Sequence, residues 1–215
     1  MDEGNRFVRH RRITIVDYGV GNIGSLVNML DYLRVDCRVA DTAASIASAE
    51  SVILPGVGAF DAAMRELRAR RLIDALNEAA LHRKIPVLGV CLGMQILGKS
   101  SEEGMEQGLG WIDARAKRLS PPVGSDLKVP HVGWADVDVA RDTLLFSSRS
   151  AAERFYFVHS YALFCRDQSI VAAVISFGGD VCCAVAHGNI FGVQFHPEKS
   201  HRFGMRLLMD YARHA

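Results

Sequence analysis

Between residues 13 and 97, short apolar runs alternate with amphipathic segments. Ile13-Thr14-Ile15-Val16-Asp17, Cys37-Arg38-Val39-Ala40, Ser51-Val52-Ile53-Leu54 and Pro86-Val87-Leu88 each predict a short strand. From Asn22 onward, Ile23, Leu26, Val27, Leu30 and Leu33 line one face of a helix. Met64, Leu67, Leu72, Ile73 and Leu76 predict a second, long helix from about residue 61 to residue 82. Strand and helix in alternation mean right-handed crossovers and a parallel sheet covered on both faces. Ligand sites in such sheets lie at the carboxyl ends of the strands, where the loops at Gly19, Gly56 and Cys91 fall.

Beyond residue 105 the pattern changes to short strand-like runs at 114–119, 155–159, 169–176, 181–186 and 190–194. They are broken by Pro121-Pro122, Gly178-Gly179 and His187-Gly188-Asn189. These predict antiparallel ribbons and hairpins added to the sheet, followed by a final helix over about 203–212. Length and composition (215 residues, 49% hydrophobic, 23% charged) suit one domain over residues 13–215. Residues 1–12, with Arg6, Arg9, Arg11 and Arg12 and no apolar centre, read as a loose extension rather than a signal peptide. A formal charge of +1 points to neither nucleic acid nor a membrane surface, and no apolar run approaches the roughly 18 residues of a membrane span. The five cysteines form no CxxC pair, which fits reduced thiols in the cytoplasm. Eight histidines form neither HxxxH nor HExxH, so local spacing indicates no metal site.

The chemistry concentrates in Gly89-Val90-Cys91-Leu92-Gly93-Met94-Gln95, a cysteine between glycines where a strand turns into a helix. That is the arrangement of a nucleophile elbow: small neighbours permit the sharp turn and present the Cys91 sulfur at the top of the sheet. The following helix would favour a Cys91 thiolate, and the Leu92 amide could donate to an oxyanion. The plain alternative is a buried structural cysteine. In Gly192-Val193-Gln194-Phe195-His196-Pro197-Glu198-Lys199, extended chain would turn His196 and Glu198 to the same side, as a base and its orienting carboxylate. Pro55-Gly56-Val57-Gly58 offers the Val57 amide as a second oxyanion donor, on a peptide that can rotate at low steric cost. Gly19-x-Gly21-x-x-Gly24 matches a dinucleotide fingerprint, with Asp41 a loose candidate for the ribose; a tight turn facing a ligand or partner is the alternative.

Taken together, the Gly89–Gln95 run and Gln194-Phe-His196-Pro-Glu198 resemble class I (triad) glutamine amidotransferases. Asp17–Asn22, Pro55–Phe60, Lys128–Trp134 and Phe155–Tyr161 narrow the resemblance to the family of glutaminase subunits of imidazole glycerol phosphate synthase, over about residues 13–210. It implies a flavodoxin-like α/β fold, no cofactor, and L-glutamine as substrate of a Cys91, His196, Glu198 triad. Val57 and Leu92 would form the oxyanion hole, while Gly58, Gln95, Glu103, His159 and Ser160 would hold the substrate. It also implies a heterodimer with a cyclase subunit. That partner is a (β/α)8 barrel which uses the ammonia on a phosphoribulosyl formimino-aminoimidazole carboxamide ribonucleotide. Asn22, Ser25, Trp134, Tyr156 and Lys199 match positions near that partner, which replaces the dinucleotide reading of the first glycine loop. The sequence departs from the commoner pattern at Ser25 and at Ala135, where Asn often follows the Trp. The rivals are a glutaminase serving anthranilate or aminodeoxychorismate synthase, a cysteine peptidase on a similar sheet, and a regulatory subunit without activity; the complete triad argues against the last.

Overall fold

A computed structural model describes residues 12–146 and 153–214. The expected extension therefore lies outside the described residues except for Arg12, which pairs with Asp36 at 2.7 Å. The first half follows the predicted alternation: β1 (Ile13–Val16), α1 (Ile23–Tyr32), β2 (Cys37–Ala40), α2 (Ala43–Ala47), β3 (Ser51–Leu54), α3 (Phe60–Ala69), α4 (Ile73–Asn77) and β4 (Val87–Val90). A one-turn helix, α5 (Leu92–Gln95), follows directly. The long helix expected over 61–82 is instead broken. Arg71, at φ +56°, ends the first piece, and α4 passes into a π-helical turn over Glu78–His82. Helix α2 lacks the apolar periodicity that would announce it; a reciprocal cap between Thr42 and Ser45 starts it.

The second half contains β5 (Ser100–Ser101), β6 (Ala114–Arg118), β7 (His131–Val139), β8 (Glu153–His159), β9 (Tyr161–Cys165), β10 (Val171–Ser176), β11 (Asp180–His187), β12 (Ile190–Val193) and α6 (His201–His214). Nine strands form one sheet in the order β2-β1-β3-β4-β12-β11-β10-β7-β8, while β5, β6 and β9 form a separate small sheet. The late strands add antiparallel ribbons and hairpins as expected, β10 with β11, β11 with β12 and β7 with β8, with two departures. β12 inserts beside β4 in parallel, with Gly192 opposite Gly89, and three strands leave the sheet altogether.

Both faces of the central strands are buried, so alternate residues serve two cores. Ile13, Ile15, Ile53, Leu88 and Val90 pack with Leu26 and Leu30 of α1 and Leu207, Leu208 and Tyr211 of α6. Val16, Val52, Leu54 and Val87 pack with Phe60, Met64 and Leu67 of α3 and Leu72 and Leu76 next to and within α4. The parallel insertion of β12 places the end of that strand next to the end of β4. The two informative sequence runs thereby meet at one edge of the core.

Helix α6 closes onto the chain that follows β12. A Cβ on Gly204 would lie 1.8 Å from the Pro197 carbonyl oxygen, a backbone atom with little freedom to move. In an open helix, Gly→Ala would gain up to about 1 kcal/mol from propensity. Overpacking against backbone costs about 1–3 kcal/mol or more, so the clash wins. Gly204→Ala is expected to lower stability by about 2 kcal/mol in urea unfolding. A stability gain would mean that α6 does not press on residue 197.

Candidate active site

Cys91 occupies the corner between β4 and α5 at φ +55°, a left-handed conformation that a side chain adopts only when its surroundings enforce it. Those surroundings are backbone. The Cys91 amide donates to the Val193 carbonyl at 2.8 Å, and its own carbonyl accepts from Met94 at 3.0 Å and Gln95 at 3.2 Å. A Cβ on Gly93 would sit 1.8 Å from the Leu54 oxygen, one on Gly89 2.6 Å from the Gly93 oxygen, and one on Gly56 2.8 Å from the Gly93 nitrogen. These glycines are thus required by close approach of β3, β4 and the elbow. The helix expected to favour the thiolate has only four residues, so its dipole is short and the side chains around the sulfur matter more.

His196 and Glu198 lie beside this corner, although by a different route from the one extended chain suggests. β12 ends at Val193, and Pro197–Lys199 form a 3-10 turn that folds the carboxylate back onto the ring. His196 Nδ1 donates to Glu198 Oε1 at 2.8 Å, and the imidazole lines the same pocket as Cys91. β8 holds the segment: the His196 amide donates to the Tyr156 carbonyl at 2.9 Å, and the Tyr156 amide donates to Ser200 Oγ at 3.0 Å. Ser200 Oγ in turn donates to the His196 carbonyl at 2.6 Å. Burial by itself would lower the His196 pKa, but hydrogen bonds to Cys91 and Glu198, and the charges of both, raise it to about 10. Among the described residues, Glu198 Oε2 is buried without a hydrogen-bond partner.

Cys91 and His196 border a pocket of about 290 Å³ that is also lined by Val57, Gly58, Leu92, Gln95, Glu103, His159, Ser160 and Lys199, while Glu198 stands behind the imidazole. All the expected substrate and oxyanion residues therefore reach one cavity. Leu92 is the first residue of α5, where an amide has no partner within the helix. Glu103 also caps α3, its Oε2 accepting from the Phe60 amide at 2.8 Å. Gln95 is nearly buried, and its Nε2 donates both to the Tyr161 carbonyl and to Gln194 Oε1, at 3.0 Å each, leaving only its carbonyl oxygen for a ligand. His159 uses Nδ1 on the Tyr161 carbonyl at 2.9 Å and Nε2 on His131 at 3.1 Å. Burial lowers its pKa, the Tyr161 carbonyl opposes that, and His131 and His196 lower it further, to about 4.

Sequence reasoning assigns no role to Gln194, Ser200, Tyr18 or His131. Gln194 Nε2 lies 3.7 Å from the Cys91 sulfur, and Tyr18 donates to the Pro55 carbonyl at 2.5 Å, securing the loop that carries Val57. Burial and the nearby Cys91 charge both push the Tyr18 phenol up. Gln194 is visible inside the Gln-Phe-His-Pro-Glu run and Tyr18 inside the Asp17–Asn22 run, in both cases without a role attached.

Of the expected partner residues, Trp134 and Tyr156 sit opposite each other on β7 and β8, and Trp134 stacks on His201 at 5.6 Å. Trp134 is 37% exposed, as is more than half of Val132 on the same strand. Asn22 precedes α1 and Ser25 lies in its first turn; α1 packs against the 3-10 turn that ends with the exposed Lys199. Of the fingerprint glycines, Gly19 and Gly21 take positive φ, whereas Gly24 does not and has open space around its Cβ direction.

Among the described residues, no helix is long and apolar enough to cross a membrane. The family model for glutamine amidotransferase class-I matches residues 14–213. The imidazole glycerol phosphate synthase subunit HisH 2 of Pseudomonas aeruginosa is 46% identical over 199 residues, covering 93% of this chain and 98% of the relative. The subunit HisH of Leptospira interrogans is 44% identical over 201 residues, again covering 93% and 98%. In fold the chain is similar to PurLQS from Thermotoga maritima, with a TM-score of 0.71 and 18% identity over 94% of this chain and 97% of that one. A glutamine amidotransferase from Thermotoga maritima gives a TM-score of 0.62 and 18% identity, over 94% of this chain and 82% of that one. The elbow, the histidine and carboxylate beside it and the match along nearly the whole chain have one common explanation: the protein belongs to the class I glutamine amidotransferases.

Proposed function

We propose that this chain is the glutaminase subunit of imidazole glycerol phosphate synthase, hydrolysing L-glutamine and delivering the ammonia to a cyclase subunit for histidine biosynthesis. The observation that carries the reading is that His196, bonded through Nδ1 to Glu198 Oε1 at 2.8 Å, lines one pocket together with Cys91, Leu92 and Val57. The names of the HisH relatives at 46% and 44% identity support the choice of synthase and the existence of a partner subunit. The cytoplasm is the compartment that free thiols at Cys37, Cys91, Cys165, Cys182 and Cys183 suit best.

In the proposed mechanism, the Cys91 thiolate attacks the side-chain amide carbon of glutamine. The Leu92 and Val57 amides stabilise the resulting oxyanion, each donor contributing about 2.7–4 kcal/mol in the transition state. The His196 imidazolium, oriented by Glu198, protonates the departing ammonia and leaves an acyl thioester. A water gives a proton to the now neutral His196 and attacks the thioester, expelling the Cys91 thiolate beside the restored imidazolium and releasing glutamate. Gly58, Gln95, Glu103, His159 and Ser160 form the remainder of the substrate site. Of these, Gln95 would accept through its one uncommitted oxygen, and neutral His159 would add no positive charge. Asn22, Ser25, Trp134, Tyr156 and Lys199 form the face toward the (β/α)8 cyclase; exposed apolar surface at Trp134 and Val132 beside Lys199's end of the pocket supports that placement. Docking there would seal the pocket from water, and the ammonia would then leave toward the partner rather than being captured as ammonium.

Glutamate release should be measured for the purified chain alone and with the cyclase subunit carrying its nucleotide ligand. The expected result is strong stimulation by the loaded partner. Cys91→Ala should remove the activity by at least about three orders of magnitude, about 4 kcal/mol in the barrier. Full activity of Cys91→Ala would overturn the mechanism, and failure of the cyclase to bind would overturn the assignment of synthase.

The raised His196 pKa gives a separate, spectroscopic expectation. Its protonated form should persist through neutral pH and be lost as pH rises through about 10. Cys91→Ala removes a hydrogen-bond acceptor and a negative charge, so the titration midpoint followed by NMR of the imidazole should fall toward the ordinary histidine value of about 6.5. An unchanged midpoint would show that Cys91 does not partner His196.

A further inference from the structure

The amide and imidazole groups behind the pocket share one backbone oxygen, and that oxygen fixes the polarity of every bond connected to it. The Tyr161 carbonyl can only accept. Gln95 therefore turns its Nε2 to Tyr161, at 3.0 Å, and the same NH2 group faces Gln194 Oε1, also at 3.0 Å. With its oxygen committed to Gln95, Gln194 turns its own NH2 toward the Cys91 sulfur, 3.7 Å away. On the other branch, His159 Nδ1–H donates to the same carbonyl at 2.9 Å, so His159 Nε2 is an acceptor and His131 Nδ1–H donates to it at 3.1 Å. Gln194 is fully buried and its backbone amide is tied to the Cys183 carbonyl at 2.8 Å, so neither end is free to reorient.

We propose that Gln194 is a positioning residue for the nucleophile: its buried side-chain N–H, held in orientation by Gln95 and the Tyr161 carbonyl, donates to the Cys91 sulfur and favours the thiolate. An N–H donor lowers the energy of a sulfur anion, whereas the flipped amide would aim a carbonyl oxygen at it and raise that energy. The other groups that bear on the sulfur are His196 with Glu198 behind it and the neutral Tyr18 phenol from the loop after β1, while neutral His159 from β8 lines the same pocket. Glu103 and Lys199 complete the charged lining of the pocket. His196 supplies a proton as well as charge, and that proton must leave with ammonia. Gln194 keeps its own proton throughout, so its hydrogen bond to sulfur remains available when the thiolate is regenerated as a leaving group. The inference rests on Cys91 being the nucleophile proposed above.

The test is alkylation of Cys91 by iodoacetamide across pH, followed by peptide mass spectrometry so that each of the five cysteines is read separately. Methionine is close to glutamine in length and volume but donates no hydrogen bond, so Gln194→Met is the main variant. The midpoint of Cys91 alkylation should rise by about one pH unit, a tenfold change in the thiolate-to-thiol ratio. Gln95→Met leaves Gln194 in place but releases its orientation, and should move the midpoint the same way by less. General loosening would instead increase labelling of the buried Cys165 and Cys183 without moving the Cys91 midpoint. An unmoved midpoint in Gln194→Met overturns the proposal. Should that variant not fold, Gln95→Met decides, with a raised midpoint supporting the proposal and an unmoved one overturning it. Glutamate release that persisted in Cys91→Ala would overturn the assigned function instead, and would leave the alkylation result intact.

Discussion

Contact between backbone and backbone at the end of β3 and β4 is the constraint on which the rest of the site depends. The Leu54 oxygen lies where a Cβ on Gly93 would be, at 1.8 Å, and Gly56 and Gly89 meet the same short helix with similarly little room. Main chain meets main chain here, with the Leu92 Cβ and the Tyr18 hydroxyl also against Gly56, and the Pro55–Gly58 loop is thereby held next to Cys91. The strained φ of +55° at Cys91 is tolerable because its amide and carbonyl are both bonded on either side of the turn, to Val193 and to Met94 and Gln95. Were the strands a side chain's width further apart, Val57 and Leu92 would no longer line one cavity.

Two histidines in that cavity show how partners, rather than residue type, set the chemistry. Burial acts in the same direction on both. His196 meets Cys91 and a carboxylate, which overcome burial and raise its pKa to about 10; for His159 burial wins, opposed by the Tyr161 carbonyl and helped by the other imidazoles, and its pKa falls to about 4. One is therefore held protonated through neutral pH, as the proposed mechanism requires, and the other is held neutral within its hydrogen bonds. Exchange of their surroundings would exchange their roles.

Much of the fold is legible in the first half of the chain because β1, β3 and β4 are fully buried apolar runs, and the turns after β1 and β3 carry glycines. β2 and β3 fall on the residues that the apolar runs mark, Cys37–Ala40 and Ser51–Leu54. The break at Arg71 is not legible: apolar positions on either side keep helical spacing, and a left-handed arginine carries no sequence signature. In the second half, β7 and β9 escape a pattern-based reading because their alternation is interrupted, by Gly133 and the exposed Trp134 in one and by buried Ala162 and Leu163 in succession in the other. The pairing of His196 with Glu198 is visible as a neighbourhood, but strand alternation is the wrong local reason for it. A 3-10 turn brings Glu198 to His196. Gln194 stands within a motif without an evident function, since the polarity of an amide is a property of the bonded network and has no trace in spacing.

That network explains why the small sheet is part of the site although it supplies none of the triad. β9 begins at Tyr161, the residue whose carbonyl receives both Gln95 and His159. Pairing with β6, Arg118 opposite Tyr161 and Ala114 opposite Cys165, keeps that strand in register. A side-chain acceptor in the same place could rotate or protonate, and the amides behind Cys91 would lose their direction. A peptide carbonyl held within a strand can do neither. The small sheet thus acts as a fixed electrical reference, one acceptor from which the orientation of two glutamines and two histidines follows.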